Sequence, residues 1–209
     1  MVYPCFHNPP VSYFSLLVID NGPVLVEQHD HYTKQTYRNR CRILGANGVI
    51  NLVIPVVKHH GQKTLMKDVR VDYDTNWQRI HWQSILSSYA SAPFFEFMED
   101  SYHPVYHKKY NFLLDLNIDL LHIALDLLQL HRPVVKTKKF NRSEPGSDLA
   151  VAIHPKKQFV HESWTYHPAM YHQVFIERHG FCQDLSIMDL LFNEGPNAAV
   201  VLKASAARK

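Results

Sequence analysis

The opening of the chain, VYPCFHNPPVSYFSLLVIDNGPVLVE over residues 2–27, leaves little freedom in how it can fold. VYPCF reads as a buried strand. Asn8-Pro9-Pro10 follows as a helix start, with Asn8 as the cap and proline in the first turn, where a missing N–H costs nothing. VSYFSLLVI supplies an apolar helix body, Asn21-Gly22 stops it, and PVLVE resumes as a strand. A strand, a helix and a second strand of this length predict a parallel, right-handed βαβ unit.

Two further patterns extend this beginning. Cys41 and Ile43 alternate with Arg40 and Arg42 up to Asn47-Gly48, a strong hairpin-turn signal. INLVIPV then alternates as the returning strand, and Pro55 marks its end or an edge. Helices dominate the middle. Trp82, Ile85, Leu86 and Tyr89 share one face of a helix that opens near a Thr75 cap and stops by Pro93. FFEFMED and NIDLLHIALDLLQL read as two more helices. LSIMDLLFNEGP reads as a last one, with Ser186 as cap, Asp189 completing a capping box and Gly195-Pro196 at its end. The expected class is therefore α/β: a mixed sheet with an N-terminal βαβ unit and a β-hairpin, covered by helices.

The remainder sets boundaries. Residues 136–170 are rich in Lys, Ser, Pro and His without a clear period, and read as a long loop or lid. Residues 1–200 read as a single domain, and the basic run 201–209 as a flexible tail. An apolar content of 46% supports a core. The widely spaced Cys5, Cys41 and Cys182 form no disulfide framework, which points to a reducing compartment. With no leader-like N-terminus and no run of ~18 apolar residues, the expected location is the cytoplasm, with no membrane span.

Charge is balanced overall, at a formal +3, but uneven locally. From His31 to Lys67 there is no Asp or Glu, yet there are seven Lys or Arg, and four of them fall between Lys34 and Arg42. On a strand over 36–44, Arg38, Arg40 and Arg42 would share one face. Like charges gathered this way repel unless something negative faces them. Guanidinium groups bind phosphate or carboxylate through paired hydrogen bonds. Two readings stay open: a site for a small anion, or a strand face paired with the acids of 96–126. Nucleic acid is disfavoured, because only Tyr32 and Tyr37 are interleaved with the cations.

Histidine supplies the candidate proton-transfer groups. His7 lies at the carboxyl end of the first strand, where open α/β sheets bind ligands, and the following helix N-terminus would add anion affinity. His81 lies between Trp77 and Trp82 and reads either as a general base or as a core histidine. The spacings His29-x-His31 and His103-x3-His107 resemble ligand pairs, but there is no HExxH and no Cys/His framework, so no metal site is assigned. GxSxG, P-loop and GxGxxG are absent, and no cofactor is implied.

YTKQTYRNRCRILGANGVINLVIPV, NWQRIHWQSILSSYASAPFFEF and QVFIERHGFCQDLSIMDLLFNEGP, with the early PPVSYF, resemble the WbqC-like proteins of bacteria. That family is named for surface-polysaccharide gene clusters, O-antigen among them. The resemblance implies a transferase acting on a phosphate-bearing, nucleotide-sugar-like substrate. Lys34, Arg38 and Arg40 would hold phosphates, Asn39 and Tyr13 would help bind the substrate, and His7 or His81 would act as base. The alternative is a non-catalytic module that binds an anion or an acidic partner. Neither the substrate nor the oligomeric state can be read from these residues.

Overall fold

The computed structural model describes residues 1–57, 63–141 and 146–209. Val2–Pro4 forms β1, Val11–Ile19 α1 and Val24–Glu27 β2. The hairpin follows as β3 (Arg40–Gly45) and β4 (Gly48–Val53). Then come α2 (Trp77–Tyr89), α3 (Phe95–Tyr102) and α4 (Leu113–Leu127). The chain continues through β5 (Val134–Lys136), α5 (Leu149–Ala152), β6 (Trp164–Tyr166) and α6 (Ile176–His179). It closes with α7 (Ile187–Glu194), α8 (Ala198–Ser205) and β7 (Ala206–Arg208).

The expected βαβ unit is present. β1 and β2 are parallel, with Val2 opposite Leu25, and β5 adds to the far side of β2, also parallel. β3 and β4 pair antiparallel across the Ala46-Asn47 turn, with Cys41 opposite Leu52 and Ile43 opposite Ile50. Gly48 takes φ +110, which few side chains tolerate and which the tight turn uses. Among the described residues, no helix is long and apolar enough to cross a membrane.

Helix α1 is buried from Val11 through Leu17. A helix apolar all round must be covered all round. α7, α8 and the two-stranded ribbon β6–β7 pack against it. Each fully buried Leu or Phe here contributes about 1.5–3 kcal/mol of transfer free energy. At its C-terminal end, Arg132 donates from Nε to the Gly22 carbonyl (2.7 Å) and from its guanidinium to that of Leu17.

The N-terminal end of α1 differs from expectation. Pro10, not Asn8, is the N-cap and makes no side-chain cap, while Asn8 adopts φ +39. Asp184, from a distant loop, accepts the Ser12 N–H at 2.9 Å, and Val11 N–H reaches the Leu185 carbonyl. The protein's own carboxylate thus takes the place that a ligand anion was expected to take. At α2 the N-cap is Asn76 rather than Thr75.

Ser186 caps α7 as expected, accepting from Met188 N–H at 3.3 Å. Asp189 does not complete a capping box. It is wholly buried and accepts from Tyr89 Oη (2.8 Å), Tyr171 Oη (2.7 Å) and Gln173 Nε2 (2.9 Å). This fastens α7 to α2 and to the 171–173 strap.

The C-terminal run also departs from the sequence reading. Residues 201–205 lie in α8 and 206–208 in β7, which pairs with β6 (Trp164 opposite Arg208). The stretch 136–170 carries α5 and β6 rather than running as plain loop.

Candidate functional site

The three parallel strands deliver their carboxyl ends to one edge of the sheet. From β1 the chain runs into Cys5-Phe6-His7-Asn8, and His7 N–H is fixed by the Tyr37 carbonyl at 2.8 Å. From β2 it runs into Gln28-His29-Asp30, with Glu27 tied by Oε1 to Thr137 Oγ1 (2.9 Å) just past β5. A small cleft of about 50 Å³ borders this edge, lined in part by Pro4, Glu27, Asp30 and Asp148.

Beside this edge lies a closed circuit of buried polar groups. His7 Nδ1 stands 3.3 Å from Asn117 Oδ1, and Asn117 Nδ2 donates to the Arg38 carbonyl at 2.9 Å. The next residue, Asn39, donates from Nδ2 to the Ile54 carbonyl (2.8 Å), while Ile54 N–H returns a bond to the Asn39 carbonyl (2.8 Å). One residue earlier, the Val53 carbonyl faces His81 Nε2 at 3.2 Å. The His81 ring is 6.3 Å from that of Tyr106, whose hydroxyl accepts from Asn8 Nδ2 at 3.2 Å. His7 and His81 close the circuit with ring centroids 6.4 Å apart. Six segments, at 7–8, 38–39, 53–54, 81, 106 and 117, thus meet here.

The circuit is shut off from solvent, His7 being 0% and Asn39 6% exposed. Burial disfavours the imidazolium. It pushes His7 down to about 3, with repulsion from His81 adding and the Asn117 bond opposing. It pushes His81 down to about 4 against the pull of the Val53 carbonyl. Both rings are neutral at pH 7. His7 Nε2, His81 Nδ1, Asn8 Oδ1 and Asn39 Oδ1 make no hydrogen bond to the described residues. Such groups are rare in folded interiors and ask for an explanation.

The cations disperse rather than gather. The strand begins at Arg40, not at 36, so Arg38 lies in the preceding turn and does not share the Arg40–Arg42 face. Arg38 is 5% exposed and paired with Asp30. Lys34 is exposed. Arg40 is half-buried, its Nε has no partner, and no carboxylate of the described residues comes within 4 Å of it. Arg42 shares the strand face of Arg40. Tyr13 packs among Tyr3, Phe6 and Phe14 in the core.

Of the residues that the sequence singles out, His7, His81 and Asn39 fall in this circuit, and Arg40 follows Asn39 in the chain. Sequence reasoning misses Asn117, Tyr106 and the Asn8 side chain as members. Asn117 did leave a trace, because it falls on the buried stripe Leu113, Leu116, Leu120 and Leu121 of α4, where a polar residue is out of place. Asp30, the counter-charge of Arg38, sits one residue before the acid-free stretch. Among the described residues, no three His, Cys, Asp or Glu side chains stand close enough to hold a metal ion.

The model of the WbqC-like protein family matches residues 5–164, a span that contains every member of the circuit. The uncharacterized protein Rv1507c of Mycobacterium tuberculosis is 26% identical over 95 residues, covering 46% of this chain and 40% of that protein. The chain therefore matches less than half the length of this curated relative. No solved structure matches the chain.

Proposed function

The chain belongs to the WbqC-like protein family, and from that premise we propose that it is a small-molecule transferase acting on a phosphate-bearing, nucleotide-sugar-like substrate. The setting is cytoplasmic surface-polysaccharide biosynthesis. The observation that carries this reading is that Arg40, with no carboxylate of the described residues within 4 Å, lies one residue from a buried polar circuit whose atoms include some unmatched among the described residues. Arg40 is one residue from Asn39 and directly opposite Val53, whose carbonyl holds His81. A ligand that spans the two would set its phosphates on Arg40, with Lys34 adding charge at the rim, and its uncharged part against His7, His81 and Asn39. Arg38, already engaged by Asp30, holds the segment in place rather than meeting the ligand. Preorganised charge of this kind stabilises negative charge that develops during group transfer.

A thermal-shift screen of nucleotide sugars, nucleoside diphosphates and acyl or aminoacyl donors tests the reading. Stabilisation by a diphosphate-containing ligand is expected. Arg40→Ala should weaken that ligand about tenfold or more, since a charge-assisted hydrogen bond contributes about 1.5–3 kcal/mol. Undiminished binding by Arg40→Ala would overturn the phosphate role. The second reading, a binding module without chemistry, is favoured by one observation: histidines pushed down to about 3 and about 4 are weak bases. Turnover with any bound nucleotide sugar would decide against it.

A further inference from the structure

The partners of the circuit fix which of its atoms donate and which accept. Asn117 spends its amide N–H on the Arg38 carbonyl, so an oxygen faces His7. An oxygen there accepts, so His7 carries its proton on Nδ1 and a lone pair on Nε2. The Val53 carbonyl can only accept, so His81 carries its proton on Nε2 and a lone pair on Nδ1. Asn39 donates to the Ile54 carbonyl, which turns its own oxygen the other way. Three acceptor atoms therefore stand in one buried circuit, and no donor of the described residues meets any of them. The Asn8 amide oxygen is a fourth unmatched acceptor.

This arrangement is hostile to a phosphate. Phosphate oxygens are acceptors and would face lone pairs, unless the imidazoles took up protons that burial resists. It suits a group rich in hydrogen-bond donors. Near the circuit, the Trp77 indole N–H is an unmatched donor, its ring 5.1 Å from that of His81. A hydroxyl both donates and accepts, and so can serve both kinds of partner.

We propose that the lone pairs of His7, His81 and Asn39 bind the hydroxyl or amino groups of the sugar in a nucleotide-sugar ligand, while its phosphates remain outside on Arg40. The assignment rests on the transferase reading above. It divides one ligand between two chemically opposite surfaces, acceptors within and cations at the rim. It also gives the neutral histidines a role that does not depend on strong basicity.

The test is calorimetric titration of uridine diphosphate and of its glucose ester into the full chain and into His81→Phe. Loss of one acceptor should weaken the sugar nucleotide about tenfold and leave the diphosphate within about twofold. Equal weakening of both ligands, or unchanged affinity for the sugar nucleotide, would overturn the proposal while the phosphate role stood. If neither nucleotide binds the parent chain, both the phosphate reading and this proposal fail; where the sugar nucleotide binds, histidine nitrogen NMR of the free protein tests the assignment of the acceptors. Neutral rings with protons on Nδ1 of His7 and Nε2 of His81 support it; a cationic ring or the reverse tautomers would overturn it. The same spectra decide the matter if His81→Phe does not fold.

Discussion

Replacing Asp189 by asparagine isolates the titration of one buried carboxyl. In the native protein Asp189 is wholly buried, and burial pushes its carboxyl from 3.8 up to about 6. The bonds from Tyr171, Tyr89 and Gln173 and the charge of His172 oppose the shift without cancelling it. A carboxyl raised on folding binds its proton more tightly in the folded state than in the unfolded one. The stability this contributes is fully present below about pH 3.8 and is lost as pH rises through about 6. A displacement of about 2 pH units corresponds to about 3 kcal/mol. Asparagine keeps the size and one acceptor of the protonated acid but cannot ionise. The stability of Asp189→Asn relative to the parent should therefore rise by about 2–2.5 kcal/mol between pH 4 and pH 7, most of that full displacement. Urea unfolding followed by fluorescence of Trp77, Trp82 and Trp164 at several pH values measures that difference, and titrations common to both proteins drop out. Parallel stability curves, or a variant that loses ground as pH rises, would refute the reasoning.

Two further perturbations follow from close contacts. Gly195 ends α7 at φ +52, and a Cβ there would lie 2.5 Å from the Phe94 ring, so Gly195→Ala should cost about 1–3 kcal/mol, read from the urea midpoint. Asn117→Leu leaves His7 Nδ1–H and the Arg38 carbonyl without partners, each costing about 1–3 kcal/mol, and should lower the thermal midpoint in proportion.

Local signals carried much of the fold. The proline pair and Asn21-Gly22 bracket α1, Asn47-Gly48 sets the β3–β4 hairpin, and Ser186 caps α7 where the sequence places it. The misreadings share one cause, which is competition from distant partners. Asp189 has capping-box spacing, but buried phenols from Tyr89, 100 positions away, and Tyr171 claim its carboxylate instead. The end of the chain looks like a basic tail until β6 supplies it with a partner strand. Of the proposed site, the histidines and Arg40 stood out in the sequence, because those residue types announce their chemistry. Its organising member, Asn117, bonds across 110 and 79 positions and belongs to no local motif. Arg38 was misjudged because Asp30, eight residues earlier, neutralises it.

The site is tested most directly by amide chemical-shift mapping as uridine diphosphate glucose is titrated into isotope-labelled protein. Saturable changes are expected at Asn8, Asn39, Arg40, Val53 and His81, clustered around the circuit and its cationic rim. Saturable changes confined to other faces, or none at millimolar ligand, would contradict a sugar-nucleotide site at this edge of the sheet.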